Sequence, residues 1–336
     1  MSTPLVTPRP FLIALTLICL CWLTGVAADV ARAQQQQLPP VFNEDTAQAI
    51  ELYRRGEMTA ALNALSKVVE EREDDVNAQY YLGLALYSVG ELDAARPSFE
   101  AVVKLLPEFA DAHAKLALPL ILNNDAAGAL REGRRALELG DRSAEVHYAV
   151  GEAHLRQDEA AKALEEAEAA LRIRPDMPEA LILKSFASYD LKRHHEAAES
   201  LERFLKLNPN DEDAETWREQ VETWRRFGRT EPEDKHDAPR TTFSPKEVEK
   251  KAHLLSRPEP QYSAGARKAG AQGTVVLRAV LSSDGTVKNM YVKRALGYGL
   301  TTRAVRAARM IKFEPATIGG RPVSQYIQIE YNFNLY

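Results

Sequence analysis

Cysteine is nearly absent from this chain: Cys19 and Cys21 are the only two among 336 residues, and both lie in the first 33. Everything that follows is thiol-free. That excludes a disulfide, a cysteine-ligated metal and a thiol nucleophile beyond this point, and it leaves packing as the source of stability. Long apolar runs are equally scarce. The one present, Phe11 to Leu23, follows Arg9 and precedes Ala31-Arg32-Ala33, the pattern of a secretory signal whose removal would leave Gln34 at the terminus. The alternative is an uncleaved membrane anchor, because Phe11 to Ala28 holds 18 residues without a charge, near the lower limit for spanning a bilayer. Ile18 and Leu20 precede the cysteines where a lipoprotein signal needs a small residue. Either way residues 1–33 read as a targeting segment that directs export of the rest of the chain.

Catalytic constellations are missing too. No nucleophile, base and orienting group stand in a recognisable arrangement, so the chain is expected to be no enzyme and to need no cofactor. His194-His195-Glu196-Ala197-Ala198-Glu199 begins like a zinc-protease helix but lacks the second histidine four residues on, so no metal is expected. Gly297-Tyr298-Gly299 is too short for a phosphate loop and reads as a turn. His113, His147 and His154 read as packing or surface residues. Interleaved basic and aromatic motifs are lacking, which together with export argues against nucleic acid as a partner.

What the chain does have is a period. Ala61, Ala95, Ala129, Ala163 and Ala197 each stand 34 residues after the last. Leu82, Gly83, Gly90, Leu92, Ala95, Phe99 and Pro107 keep the same register in the best copy. Pro107, Pro175 and Pro209 recur where a helix must stop, and Gly56 and Gly90 mark turns at positions taken later by Asn124, Asp158 and Lys192. These residues resemble the tetratricopeptide repeat, which implies five stacked helix pairs over residues 44–209 whose alanines let helices cross closely. Ala214, Trp217, Val221 and Trp224 follow at helical spacing, the apolar face of a capping helix over 210–227. The inner helices of such a solenoid line a groove. The register places Tyr80, Leu84, Tyr87, Leu118, Ile121, Tyr148, Leu155, Phe186 and Tyr189 there, a candidate peptide site in which some residues serve as inter-repeat core.

Charge divides the chain. Residues 257–336 hold 12 Lys and Arg against 4 Asp and Glu, a net of +8, whereas residues 34–256 carry −14. An acidic solenoid and a basic terminal domain either have different partners or dock on one another. Residues 228–256, rich in charge and proline, read as a linker in which Ser244, Pro245 and Glu247 start a short helix.

Beyond the linker the pattern becomes mixed. Thr274 to Ser282 and Val287 to Lys293 are strand-like around Asp284-Gly285, Leu300 to Ile311 is an amphipathic helix, and Val323 to Phe333 alternates as a last strand. Pro260-Gln261-Tyr262, Gly273-Thr274-Val275, Asp284-Gly285-Thr286-Val287 and Phe313-Glu314-Pro315-Ala316, in this order, resemble the C-terminal domain of the TonB family, with Ser263 where many members have proline. The fold expected is therefore multidomain: an all-α tetratricopeptide solenoid followed by a small α+β TonB-like domain, residues 257–336, with a three-stranded antiparallel sheet and helices.

The resemblance implies a periplasmic domain that holds a peptide segment of an outer-membrane transporter as an added strand, here at Ser324, Tyr326, Gln328, Glu330 and Asn332. Energising members carry a histidine in an uncleaved anchor and a long proline-rich spacer. This apolar segment has no histidine, and a solenoid stands in the spacer's place. Two functions stay open: a TonB-like transducer or accessory whose repeats bind a further protein, and a non-energising structural adaptor of the cell envelope.

Overall fold

The computed structural model describes residues 37–41, 43–229 and 242–335. The targeting segment and most of the linker's first half lie outside the described residues. Ten helices form five antiparallel pairs: α1 (Glu44–Arg54) with α2 (Met58–Glu71), α3 (Val76–Ser88) with α4 (Leu92–Leu105), α5 (Ala110–Leu122) with α6 (Ala126–Glu138), α7 (Ala144–Arg156) with α8 (Ala160–Ile173), and α9 (Pro178–Asp190) with α10 (His194–Leu207). All five register alanines are fully buried. No larger side chain fits where two helices cross that closely.

The turn inside each pair repeats a left-handed residue: Gly56 (φ 76°), Gly90 (82°), Asn124 (60°), Asp158 (60°) and Lys192 (63°). Glycine adopts this conformation freely, and the three later residues adopt it at a steric cost. Histidines recur as well. The Nδ1 of His113 lies 2.7 Å from Glu132, and that of His147 lies 2.6 Å from Glu166, one repeat later on both sides.

α11 (Ala214–Arg229) buries Ala214, Trp217, Val221 and Trp224 against repeat five, with the Phe186 ring edge-on to both indoles. Its opposite face does not end in water. It meets the second half of the molecule, whose elements are β1 (Thr242–Phe243), β2 (His253–Ser256), α12 (Ala264–Ala269), β3 (Gly273–Leu281), β4 (Val287–Arg294), α13 (Leu300–Arg309), β5 (Lys312–Glu314), β6 (Ala316–Ile318) and β7 (Arg321–Phe333).

The antiparallel core of the sheet is β7-β3-β4, the three strands expected, joined at one side by the parallel β1 and locally by β6. β3 and β4 are linked by a turn in which Gly285 has φ 81° and the Ser282 N–H donates to the Thr286 carbonyl. β7 runs the length of β3, from Gly273 opposite Phe333 to Leu281 opposite Gln325. α13 buries Leu300, Ala304, Ala307 and Ala308, with Ile311 just beyond it, in one core with Val275, Leu277, Ile329 and Tyr331 of the sheet. Ser263 caps α12, accepting from the Ala266 N–H at 2.9 Å, and donates to the Tyr298 carbonyl at 2.6 Å. The turn therefore forms without proline at that position.

The stretch 242–256 departs from the expectation of a linker with a short helix. Pro245 to Glu247 form only a turn, and β1 and β2 pair with β7 and β5. Strand partners supplied by distant segments outweighed a weak local helix signal.

Candidate functional site

The two halves form one core. Leu181, Phe186, Leu201 and both buried tryptophans of α11 belong to the same apolar cluster as β3, β4, α13 and β7. Polar contacts hold the seam. The Gln220 side chain pairs with both main-chain groups of Val292, the Asp213 carboxylate accepts from the Thr302 N–H at 2.7 Å, and the Thr216 and Thr302 hydroxyls are 2.7 Å apart. Farther along, the Gln272 N–H donates to the Leu122 carbonyl at 2.8 Å. Burial pushes the Asp213 carboxyl up to about 6, against the bonds from Thr302 that favour its charged form.

Part of the charge division meets across this seam. Arg294 reaches Asp158 at 3.7 Å, Arg306 reaches Glu215 at 3.1 Å, and Arg309 pairs with Glu219. The approach is close: a Cβ on Gly270 would lie 2.3 Å from Asp93, and one on Gly299, itself at φ 71°, would lie 2.3 Å from Glu212.

Docking rewrites the groove. Tyr189 stacks on Trp224 at 5.0 Å and meets Tyr291 of β4 edge-on, so it is covered rather than open. Tyr80 lies among Tyr81, Phe99 and Phe109 and donates to Asp111, which makes it inter-repeat core. Leu84 and Tyr87 pack on the same Phe99 cluster. Leu118, Ile121, Tyr148, Leu155 and Phe186 line a cavity of about 570 Å³ between the inner helices and the sheet. Its other wall carries Val276, Leu296, Tyr298, Gln328 and Glu330. Residue spacing showed which side chains face inward along the solenoid, but nothing local revealed that the capping helix and the distant sheet close the groove.

The two edges of the sheet differ. At β4 the Gln220 amide occupies Val292, in the manner of a neighbouring strand. At β7, β1 covers Ser324 and Gln325 and then leaves at Ser244-Pro245. Ser324 is consequently not on an open edge, and its hydroxyl accepts from the Ser283 N–H. From Tyr326 to Phe333 the outer side of β7 has no strand partner among the described residues. The Glu330 carbonyl accepts from Arg257, whose guanidinium also lies 4.7 Å from the Tyr331 ring centre. A strand residue turns its N–H and C=O the same way, so Tyr326, Gln328, Glu330 and Asn332 present theirs outward. Those side chains are exposed, while Ile329, Tyr331 and Phe333 are buried. Arg257, a residue without a signal in its local sequence, is the group that sits on this edge.

Comparison with known proteins matches each half. The model of the Gram-negative bacterial TonB protein C-terminal domain covers residues 258–335, and tetratricopeptide models cover 46–107, 85–144, 123–178 and 151–222. The chain is a tetratricopeptide-repeat protein with a C-terminal TonB-family domain. The chain is 32% identical over 95 residues to Protein TonB of Vibrio cholerae serotype O1, a match that spans 28% of this chain and 39% of the relative. It is 34% identical over 77 residues to Protein TonB of Xanthomonas campestris pv. campestris strain B100, 23% of this chain and 34% of the relative. The chain thus spans well under half the length of these curated relatives. Among solved structures, the repeats overlay on MamA (22% identity, TM-score 0.41, 48% of this chain and 94% of that one) and on MamA from Desulfovibrio magneticus RS-1 (21%, 0.43, 50% and 98%). Tetratricopeptide and TonB-like domains belong to families of interaction modules. No described helix is long and apolar enough to cross a membrane, and no described cluster has the ligands for a metal ion.

Proposed function

We propose that this protein is an exported, periplasm-facing interaction protein whose TonB-family domain takes up a peptide segment of an outer-membrane transporter along β7. The observation that carries the reading is the outer side of β7 from Tyr326 to Phe333, which has no strand partner among the described residues while its inner side is paired to β3 from Gln325 to Phe333. Unpaired N–H and C=O groups on a straight strand are a template for one more strand, and main-chain pairing supplies the affinity. Arg257 must give up the Glu330 carbonyl as the segment enters.

The test is binding of a synthetic transporter N-terminal segment to the full chain, with and without methyl groups on alternate backbone nitrogens of the peptide. Strand addition requires those N–H groups, so the methylated peptide is expected not to bind. Equal affinity of the two peptides sinks the reading.

A second reading, a structural adaptor that transmits no force, is favoured by the docking itself. A domain fixed on a solenoid by buried hydrogen bonds is suited to hold a partner at a set position. Envelope fractionation separates the two: an inner-membrane protein retaining residues 1–33 supports the transducer, and a processed soluble one supports the adaptor.

A further inference from the structure

The cavity between solenoid and sheet has no role in strand addition as such, yet it opens beside the strand that would be extended. Gln328 and Glu330 both line it and both offer outward main-chain groups. Side chains directly opposite one another on neighbouring strands share a face and stand about 5 Å apart. A residue of an added strand facing Glu330 therefore projects over the mouth of the cavity.

The walls define what suits that space. Seven carboxylates stand against three cations, Arg156, Lys293 and Arg294. Two of the cations are already engaged, Arg156 with Glu152 at 3.0 Å and Arg294 with Asp158 at 3.7 Å. No described cation lies within ion-pairing distance of Glu179 or Asp190, and burial raises the Asp190 carboxyl above its ordinary value despite the attraction of Lys293. Aromatic faces accompany the carboxylates: Tyr148, Phe186, Trp217 and Tyr298. Trp217 is 2% exposed and its indole N–H has no acceptor among the described residues. Carboxylates beside aromatic rings are the surroundings that suit a guanidinium, which stacks and hydrogen-bonds at once.

We propose that the interdomain cavity is the side-chain pocket for an arginine of the segment that adds to β7, so that the solenoid selects which segment the TonB-family domain holds. This rests on the strand-addition reading. It also departs from the preference that the net charge of the isolated domain suggests, because the pocket beside the edge is acidic.

The full chain is titrated with three eight-residue peptides of alternating valine and threonine that differ at one central threonine, replaced by arginine, glutamine or glutamate. The arginine peptide is expected to bind about tenfold or more tightly than the glutamate peptide, a gap that closes to within about threefold when Glu179→Gln and Asp190→Asn are combined. The glutamine peptide should bind the double variant as it binds the parent, which reports that the fold is intact. Methylation of alternate peptide nitrogens should abolish binding of all three. Equal affinity for the three peptides, all lost on methylation, overturns the pocket and leaves strand addition standing. An arginine preference that survives methylation overturns strand addition and this inference with it, as does the absence of binding by any peptide.

Discussion

The side-chain amide of Gln220 accepts from the Val292 N–H at 2.9 Å and donates to the Val292 carbonyl at 3.2 Å. One residue of the solenoid's last helix thus does for β4 what a further strand would do. Gln220 is 2% exposed, so its loss would leave two buried main-chain groups without partners. Gln220→Ala is expected to weaken docking by roughly 2 to 4 kcal/mol. An increase in the radius of gyration by small-angle scattering would follow, and an unchanged value would show that the seam holds without this pair.

Docking should also depend on pH through Asp213. Its carboxyl is raised above its usual 3.8 to about 6 in the docked state, so that state binds the proton more readily than an undocked one. The contribution is fully present below about pH 4 and is lost as pH rises through about 6, weakening the assembly by on the order of 2 kcal/mol by pH 7.5. Asp213→Asn keeps an oxygen to accept from Thr302 and removes the titration. The variant is expected to unfold at a temperature that changes less between pH 5 and pH 7.5 than that of the parent; parallel profiles would assign the pH dependence elsewhere.

Lys192 adopts φ 63° where the first two repeats have glycine. A left-handed lysine costs roughly 1 kcal/mol relative to glycine at the same place, so Lys192→Gly should raise stability by about that amount despite glycine's greater freedom in the unfolded chain. A denaturant midpoint at or below the parent's would mean that the turn imposes no strain.

Ala95 and Ala163 have no exposed surface and sit at helix crossings. Leucine at either position is expected to cost roughly 1 to 3 kcal/mol through overpacking. Thermal denaturation of both variants at the parent temperature would contradict the close approach of the helices.

The targeting segment is open to a mass measurement. Protein purified from an exporting host is expected to begin at Gln34 and to give no reaction with a thiol reagent, whereas recovery of Cys19 and Cys21 in the product would mean retention as an anchor.

The sequence by itself determined the solenoid. A repeat contacts its neighbours through positions that recur every 34 residues, so the burial of Ala61 to Ala197 and the left-handed turns from Gly56 to Lys192 are written locally and five times over. It also determined the β3, β4, α13 and β7 order, because alternation, the Asp284-Gly285 turn and the spacing of Leu300, Ala304 and Ala308 are short-range signals. Which main-chain groups of β7 turn outward was not legible in that alternation and follows from its pairing with β3 and the bond from Arg257 to the Glu330 carbonyl. Only the tertiary structure decided what these surfaces do. Tyr189 and Phe186 carry the same pattern whether a groove is open or closed, and the residues that close it, Tyr291 and Trp224, come from elements with periods of their own. β1 and β2 were illegible because two to four residues hold no period, and their pairing energy comes from β7 and β5 rather than from themselves. The charge division left open whether the two halves have different partners or dock on one another. Which arginine would meet which carboxylate, and that an acidic cavity would remain beside an open edge, depended on how two separately specified units fit together in space.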